Sequence, residues 1–200
     1  MVQAPRSRQF VATLSLGVVL LLAACRSLPP TASLPWPQRR AELQAITQFE
    51  FNGRLAAAAG NQGFSAGLQW HQRAGTAALK LRGPLGLGAL QIDFDSETLR
   101  VVNSDGARVE GAAAASLVRE MLGFEPPLPS LRYWLLGCSD PGDGAEETLD
   151  GMERLQTLRQ QGWQIEYQAY QRVAHGWLPQ RLSVQRDDRK LKLVIENWRL

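Results

Sequence analysis

Apolar and polar residues alternate with a period of two along much of the chain, a pattern that predicts half-buried β-strands. The clearest run covers residues 63–70, where Phe64, Ala66, Leu68 and Trp70 fall on one side and Gly, Ser or Gln on the other. The alternation returns in six further runs, at residues 79–82, 88–94, 99–101, 163–167, 182–184 and 191–195. Short strands joined by short turns predict an antiparallel meander, folded either into a barrel or into one strongly curved sheet.

Three segments lose this alternation and are predicted to be helices. The first covers residues 37–48 and starts with proline, which is favoured at the first helical position. The second covers the alanine-rich residues 112–122 and ends before Gly123, a suitable cap residue. The third covers residues 131–137 after Ser130, which is predicted to cap it. This third helix is so apolar that we expect it to insert into a hydrophobic space.

The N-terminus is predicted to be a removable export signal over residues 1–24. A short basic lead precedes an uncharged, mainly apolar run at residues 10–24, which is shorter than the roughly 20 residues of a membrane-spanning helix. The small residues before Cys25 resemble a bacterial lipobox, and this resemblance implies that Cys25 becomes the lipidated first residue of the mature chain. Arginine at position 26, where inner-membrane lipoproteins carry aspartate, then implies the outer membrane. The alternative is an uncleaved anchor with a chance cysteine.

After the signal, residues 25–36 are rich in proline and are predicted to be a lipidated tether. Residues 37–200 are long enough for a single domain. Two of the 22 basic side chains lie in the signal, so the mature chain has 20 basic and 19 acidic side chains and a net charge of +1. This balance, without any Lys/Arg block, argues against a nucleic-acid partner. With Cys25 committed to lipid, Cys138 has no partner for a disulfide.

Motifs for catalysis or metal binding are weak. Residues 63–67 match the Gly-x-Ser-x-Gly pattern of a hydrolase around Ser65, but that nucleophile needs a strand, a sharp turn and a helix. Here the motif lies inside an alternating run. His71 and His175 are predicted to be solvated, and no cluster has zinc spacing. The acidic residues 139–151 do not follow an EF-hand pattern and are predicted to form a surface loop. We therefore expect no enzyme, no metal and no cofactor.

The six tryptophans, all in the mature chain, allow two interpretations. They fill a solid core, or they line an apolar cavity, as ligand pockets usually are lined. Periodicity alone cannot separate these possibilities. The candidate residues of such a cavity are Trp70, Leu81, Ile92, Phe94, Trp134, Trp163, Tyr167 and Trp198.

An ordered series of short motifs favours the cavity. The series consists of Gly53-Arg54, Phe64-Ser65-Ala66 with Trp70 and Gln72, Gly83-Pro84-Leu85-Gly86, the segments 131–137 and 162–167, Leu178-Pro179, and Leu191-Lys192-Leu193 ending at Trp198. In this order the motifs resemble the LolB family of outer-membrane lipoprotein receptors. The resemblance implies a mainly β fold, an unclosed antiparallel β-barrel covered by a few short helices, with a hydrophobic cavity for the acyl chains of another lipoprotein.

The resemblance also implies a function and partners. Such a receptor accepts lipoprotein cargo from the periplasmic carrier LolA and releases it into the inner leaflet of the outer membrane. Leu85, flanked by Pro84 and Gly86, is implied to protrude and to act in membrane insertion, although single exposed leucines are also common without a role. We expect a monomer, with the helix around Trp134 as a lid. Two alternatives stay open: a lipid-anchored assembly lipoprotein that binds only proteins, and an esterase that uses Ser65.

Overall fold

The computed structural model describes residues 34–83, 89–174 and 176–200, which contain eleven strands and three helices. The helices are α1 Trp36–Gln44, α2 Gly111–Leu122 and α3 Leu128–Leu136. The strands are β1 Gln48–Ala59, β2 Gln62–Arg73, β3 Thr76–Arg82, β4 Ala89–Phe94, β5 Leu99–Asn103, β6 Arg108–Glu110, β7 Ala145–Leu149, β8 Leu155–Gln160, β9 Trp163–Val173, β10 Gly176–Arg186 and β11 Arg189–Arg199.

All eleven strands form one antiparallel sheet with the order β6-β5-β4-β3-β2-β1-β11-β10-β9-β8-β7. The sheet is not closed, because β6 and β7 stand at its two ends. This confirms the predicted mainly β fold with an open antiparallel sheet and a few short helices. No helix within the described ranges has the length and apolar character that crossing a membrane requires.

Several local predictions need correction. The first helix ends at Gln44, four residues early, because Gln48 already pairs with Arg73 as the first residue of β1. The third helix begins at Leu128 after Pro127, so Ser130 lies inside it and does not cap it. A proline at the second helical position is tolerated because its missing N–H would have no partner there. The predicted surface loop 139–151 contains strand β7.

The sheet is strongly curved, as the contacts of α3 show. Arg132 of α3 donates a hydrogen bond to the carbonyl oxygen of Ala74, in the turn after β2, at 3.0 Å. Trp134 of the same helix reaches Gln160 on β8 at 2.9 Å. Five strand spacings separate β2 from β8, about 24 Å on a flat sheet, whereas nine helical residues span only about 14 Å. The sheet therefore bends around an inner face, and the helices lie on that face.

A β-bulge interrupts the centre of the sheet, where β1 pairs with β11. Asn52 pairs with Asn197 and Gly53 with Ile195, so Glu196 is an extra residue on β11. One extra residue reverses the side on which later residues point. Ile195 and Trp198 consequently both face the inner side, although they are three residues apart.

Helix α1 is hydrogen-bonded to β7, one of the two edge strands of the sheet. The indole Nε1 of Trp36 donates a hydrogen bond to Glu147 Oε2 at 2.6 Å, and Arg40 Nη1 lies 3.0 Å from the same oxygen. Gln44 Nε2 donates to the carbonyl oxygen of Ser139 at 2.9 Å. These contacts tie the segment that follows the predicted tether to the folded domain.

Candidate acyl-chain site

The eight predicted cavity residues all belong to one hydrophobic core between the sheet and the helices. Seven are buried and Trp198 is half-buried. Trp134 has no surface that water can reach, whereas Phe94 and Tyr167 keep 9% and 7% of theirs. In this conformation the residues pack against one another, so an acyl chain can enter only where the packing opens.

Five rings form an aromatic cluster on the inner face: Phe49, Phe51, Trp70, Phe94 and Trp198. Trp70 stacks on Phe51 with ring centroids 6.0 Å apart, and Phe94 meets Trp70 edge-on at 5.8 Å. Trp198 lies 5.1 Å from Phe51 and 5.7 Å from Phe49. Phe49 and Phe51 were missed in the sequence because β1 was not predicted, although both alternate with polar residues.

Leu81 and Ile92 lie beside this cluster, on the inner faces of β3 and β4. Leu81 pairs with Leu90 across these strands, and Ile92 pairs with Leu79. Both predicted residues are nearly fully buried. They extend the apolar surface from the aromatic cluster toward the end of β3 at Arg82 and the start of β4 at Ala89.

The remaining predicted residues lie on α3 and on β9. Tyr167 on β9 donates a hydrogen bond from its hydroxyl to the carbonyl oxygen of Trp134, which is on α3, at 2.9 Å. The neighbouring Tyr170 donates to the carbonyl oxygen of Leu155 at 2.7 Å. Trp163, at the start of β9, lies 5.9 Å from Phe124, which lies between α2 and α3 in the chain. Strand β9 is therefore contacted by α3 and by the segment that joins α2 to α3.

Gln160, on β8, is a buried polar residue that sequence analysis missed. Its Oε1 accepts hydrogen bonds from Trp134 Nε1 and from the backbone N–H of Asp140, both at 2.9 Å. Its Nε2 donates to the carbonyl oxygens of Asp140 and Asp143 at 2.8 and 2.9 Å. This single amide fixes α3 and the loop after it to β8. A glutamine in a polar-looking strand gives no signal of this role in the sequence.

Among the described residues, the buried core contains no Asp, Glu, Lys or Arg. Burial raises the pKa of the Tyr167 and Tyr170 hydroxyls above the usual value for tyrosine, so both stay neutral. Burial also raises the pKa of the Cys138 thiol, whose Sγ lies 3.4 Å from the carbonyl oxygen of Tyr133. A thiol that stays protonated is a poor nucleophile. The interior can thus bind apolar groups and has no reactive thiolate.

A groove of about 290 Å³ runs between α2 and the turn that joins β4 to β5. Apolar residues, among them Phe94, Leu99, Val118 and Leu128, form one part of its lining, and the carboxylates of Asp95, Glu97 and Glu125 lie at the same groove. We call it the α2 groove. The Phe94 ring, which also contacts Trp70, is the residue that the groove and the aromatic cluster share.

The residues considered for catalysis lie on the outward face of the sheet. Ser65 is exposed in the middle of β2, within a regular strand rather than a sharp turn. His71, further along β2, places its Nδ1 3.1 Å from Glu50 Oε1 at the surface. No group of three His, Cys, Asp or Glu that could hold a metal ion occurs in the ranges given above.

Five predicted residues lie outside the described residues: Cys25, Pro84, Leu85, Gly86 and His175. The strands on either side of residues 84–88 are paired, with Arg82 of β3 opposite Ala89 of β4. Leu85 therefore belongs, by sequence, to the connection between two neighbouring antiparallel strands of the meander.

Comparison with known proteins gives matches over nearly the whole chain. The family model described as outer membrane lipoprotein LolB matches residues 47–198. The outer-membrane lipoprotein LolB of Alkalilimnicola ehrlichii is 32% identical over 199 residues, covering 98% of each chain. That of Pseudomonas fluorescens is 30% identical over 187 residues, which is 90% of this chain and 91% of the relative.

Solved structures share the fold at low sequence identity. A LolA superfamily protein from Nitrosomonas europaea superposes with a TM-score of 0.54 and 9% identity, over 82% of this chain and 91% of that protein. A DUF1329 family protein from Desulfovibrio piger also gives 0.54, with 6% identity over 82% and 90% of the two chains. These two similarities concern the fold alone.

Proposed function

The chain belongs to the family of outer-membrane lipoproteins named LolB, and from this premise we propose that it is a receptor for other lipoproteins. The family is non-enzymatic and acts in lipoprotein localisation at the outer membrane. In our proposal the chain accepts lipoproteins from a soluble periplasmic carrier of the LolA kind. It then inserts them into the inner leaflet of the outer membrane, where its own lipidated Cys25 anchors it.

The observation that carries this proposal is the uncharged aromatic cluster, which meets the α2 groove at Phe94. Burial of an acyl chain against such rings and against aliphatic side chains removes apolar surface from water, which is favourable. None of the five rings of the cluster carries a charge, so an acyl chain that packs against them does not bury one.

The energetics of transfer explain why such a receptor needs no nucleotide. An acyl chain of about 14 methylenes costs about 11 kcal/mol to expose to water, at about 0.8 kcal/mol for each methylene. Transfer from one apolar interior directly to another avoids most of this cost. A modest difference in affinity between carrier, receptor and membrane is then enough to set the direction.

Helix α2 is the element that we propose to move when an acyl chain enters. Buried hydrogen bonds of Trp134 and Tyr167 hold α3 to β8 and β9, which makes α3 a poor lid. Helix α2 contacts the sheet through the buried side chains of Ala114, Val118 and Leu122. Apolar contacts of this kind can be exchanged for contacts with an acyl chain without leaving polar groups unpaired.

Blocking the α2 groove should weaken acyl-chain binding. Ala115 lines the groove and is half-buried, so Ala115→Trp would place a large ring in it. We expect this variant to bind a fluorescent fatty acid about tenfold more weakly, a loss of roughly 1.4 kcal/mol. The measurement is a fluorescence titration of the mature chain with Cys25→Ala, which carries no lipid of its own.

The matched control is Ala113→Trp, on the exposed side of the same helix. It should bind the probe as the unmodified chain does. If neither the unmodified chain nor the control binds the probe saturably, the interior is a packed core only. That result would favour the alternative function, a lipid-anchored lipoprotein that contacts protein partners.

Leu85→Glu should separate uptake of cargo from its delivery. A charged side chain at a membrane-insertion position opposes entry into the apolar part of a bilayer, whereas the acyl-binding interior is left unchanged. We expect normal fatty-acid binding but at least about tenfold slower transfer of a lipoprotein into liposomes. Transfer at the normal rate would remove Leu85 from the mechanism.

A further inference from the structure

A row of paired residues crosses the outward face of the sheet on five neighbouring strands. Arg82 on β3 is opposite Gly67 on β2, and Gly67 is opposite Arg54 on β1. Arg54 is opposite Val194 on β11, which is in turn opposite Arg181 on β10. Neighbouring strands lie about 4.8 Å apart. The three arginines therefore recur on every second strand, about 10 Å from one another at the backbone.

This row lies along a groove of about 780 Å³. Small side chains form part of its lining at Ala56 and Ser65, and Lys192 adds a fourth cation. A Cβ built on Gly67 would contact only the carbonyl oxygen of Arg82, at 3.8 Å. The groove is open at this position because Gly67 has no side chain. We call it the outer groove.

The outer groove concentrates positive charge in a chain whose charges otherwise nearly balance. Among the described residues that line it there are four cations and no carboxylate. The nearest acidic partner given by the structure is Glu196, 3.3 Å from Arg54, and both side chains of that pair are largely exposed to water. An exposed pair of this kind is worth little and is exchanged easily.

We propose that the outer groove binds the phosphate headgroups of anionic phospholipids in the membrane that receives the cargo. Arginine matches phosphate with two parallel N–H donors, and the small side chains between the cations leave room for the glycerol part. This inference rests on the proposed function, because it assigns the membrane as the surface that the receptor meets.

The position of the row favours a membrane over an acidic protein as the occupant. Arg82 is the last residue of β3, and Gly83, which also lines the groove, directly precedes residues 84–88 in the sequence. If Leu85 enters the bilayer, Arg82 at the strand end comes near the headgroups, together with Arg54 and Arg181, which the strand pairing places level with Arg82 across the sheet. The groove then orients the receptor, while the neighbouring leucine reaches into the membrane.

The test uses the mature chain with Cys25→Ala, so that its own lipid does not drive binding. Its affinity is measured for vesicles of phosphatidylcholine alone and for vesicles that also contain phosphatidylglycerol. We expect tighter binding to the anionic vesicles. This binding should weaken as salt is added, because salt screens the electrostatic attraction. Arg181→Glu should weaken this binding at least about fivefold, since each cation near an anionic surface contributes roughly a factor of five and the new carboxylate adds repulsion.

Two further variants distinguish binding in the outer groove from an effect of the protein's net charge. Arg159→Glu makes the same change of charge on the outward face of β8, away from the groove, and should weaken binding much less than Arg181→Glu. Gly67→Trp changes no charge but fills the groove, and it should weaken binding to anionic vesicles as Arg181→Glu does. Circular dichroism checks that each variant is folded.

Several outcomes would overturn the proposal. If Arg181→Glu and Arg159→Glu weaken vesicle binding equally, the net charge of the protein explains the binding and the groove does not. Inorganic phosphate is added to the vesicles and compared with chloride at the same ionic strength. If phosphate abolishes vesicle binding and chloride does not, the groove is a site for free phosphate. Unchanged vesicle binding with slower uptake of cargo from the carrier would assign the groove to the carrier. Fatty-acid binding is measured on the same samples, so a failure of the receptor function itself is seen separately.

Discussion

Gly53→Ala is expected to destabilise the domain by about 3 kcal/mol, at the upper end for an overpacked site. A Cβ at this position would overlap the carbonyl oxygen of Val194 and lie 3.2 Å from the Cα of Ile195. Both are backbone atoms of β11, so no side chain can turn away to make room. The two central strands of the sheet would have to separate or lose their bulge.

Thermal unfolding followed by circular dichroism measures this effect. A loss of about 3 kcal/mol lowers the melting temperature of a domain of this size by about 6–12 °C. The matched control is Gly63→Ala in the neighbouring strand β2, where an added Cβ meets nothing within 4 Å. The control should melt at or slightly above the normal temperature, because alanine restricts the unfolded chain. Equal stability of the two variants would contradict the close approach at the bulge.

Gln160→Ala is expected to cost about 3–5 kcal/mol, since it removes four hydrogen bonds and leaves buried partners unsatisfied. The indole N–H of Trp134 and the backbone N–H of Asp140 lose their acceptor. The carbonyl oxygens of Asp140 and Asp143 lose their donor. Water cannot replace these bonds without opening the contact between α3 and β8.

Denaturant unfolding gives the loss of stability, and the thiol of Cys138 reports its location. Cys138 is fully buried just after α3, so release of α3 should speed its alkylation by iodoacetamide under native conditions. Gln164→Ala is the control, because the Gln164 amide donates only to Glu166 near the surface. It should change stability by less than about 0.5 kcal/mol. Slow alkylation in Gln160→Ala would mean that the other contacts of α3, among them the hydrogen bond from Tyr167, hold the helix without Gln160.

Alternation located the strands with regular inner faces but could not position Trp198. Leu191, Leu193 and Ile195 follow period two, and strict continuation would place Trp198 on the outward face. The extra residue Glu196 turns it inward, where its indole donates a hydrogen bond to the carbonyl oxygen of Pro179 at 2.9 Å. A bulge depends on the pairing of two strands, so it cannot be read from one strand alone.

The strands missed in the sequence have weak local patterns. In β1, residues 56–59 are all alanine, so the two faces of this part of the strand do not differ in hydrophobicity. At the far end of the order, β7 and β8 carry charged and amide side chains that suggest a loop, and β7 is an edge strand. Gln160 gains its role only when α3 packs on β8. These segments form strands because of their contacts with the rest of the sheet, so their local propensity could not predict them.

The candidate site, too, could be predicted only in part from the sequence. Six of its eight predicted residues lie on the inner faces of strands, because large apolar residues at alternating positions are usually buried; Trp134 lies on α3, and Trp198 faces inward only because of the bulge. Whether these residues enclose space or fill it depends on where α2 sits, and no periodicity encodes that. The family resemblance, confirmed by the match over residues 47–198, supplied the expectation of acyl chains.

The pairing of β1 with β11 sets the order in which this protein can mature. These are the first and last described strands, yet they lie side by side in the middle of the sheet. Contacts between distant parts of a chain form late and slowly. The sheet cannot be completed until β11, the last of these strands along the chain, is available to pair with β1. The two meanders, β1–β6 and β7–β11, therefore become one continuous sheet only through this closing contact, and a chain cut short before β11 would leave both of its central edges unpaired.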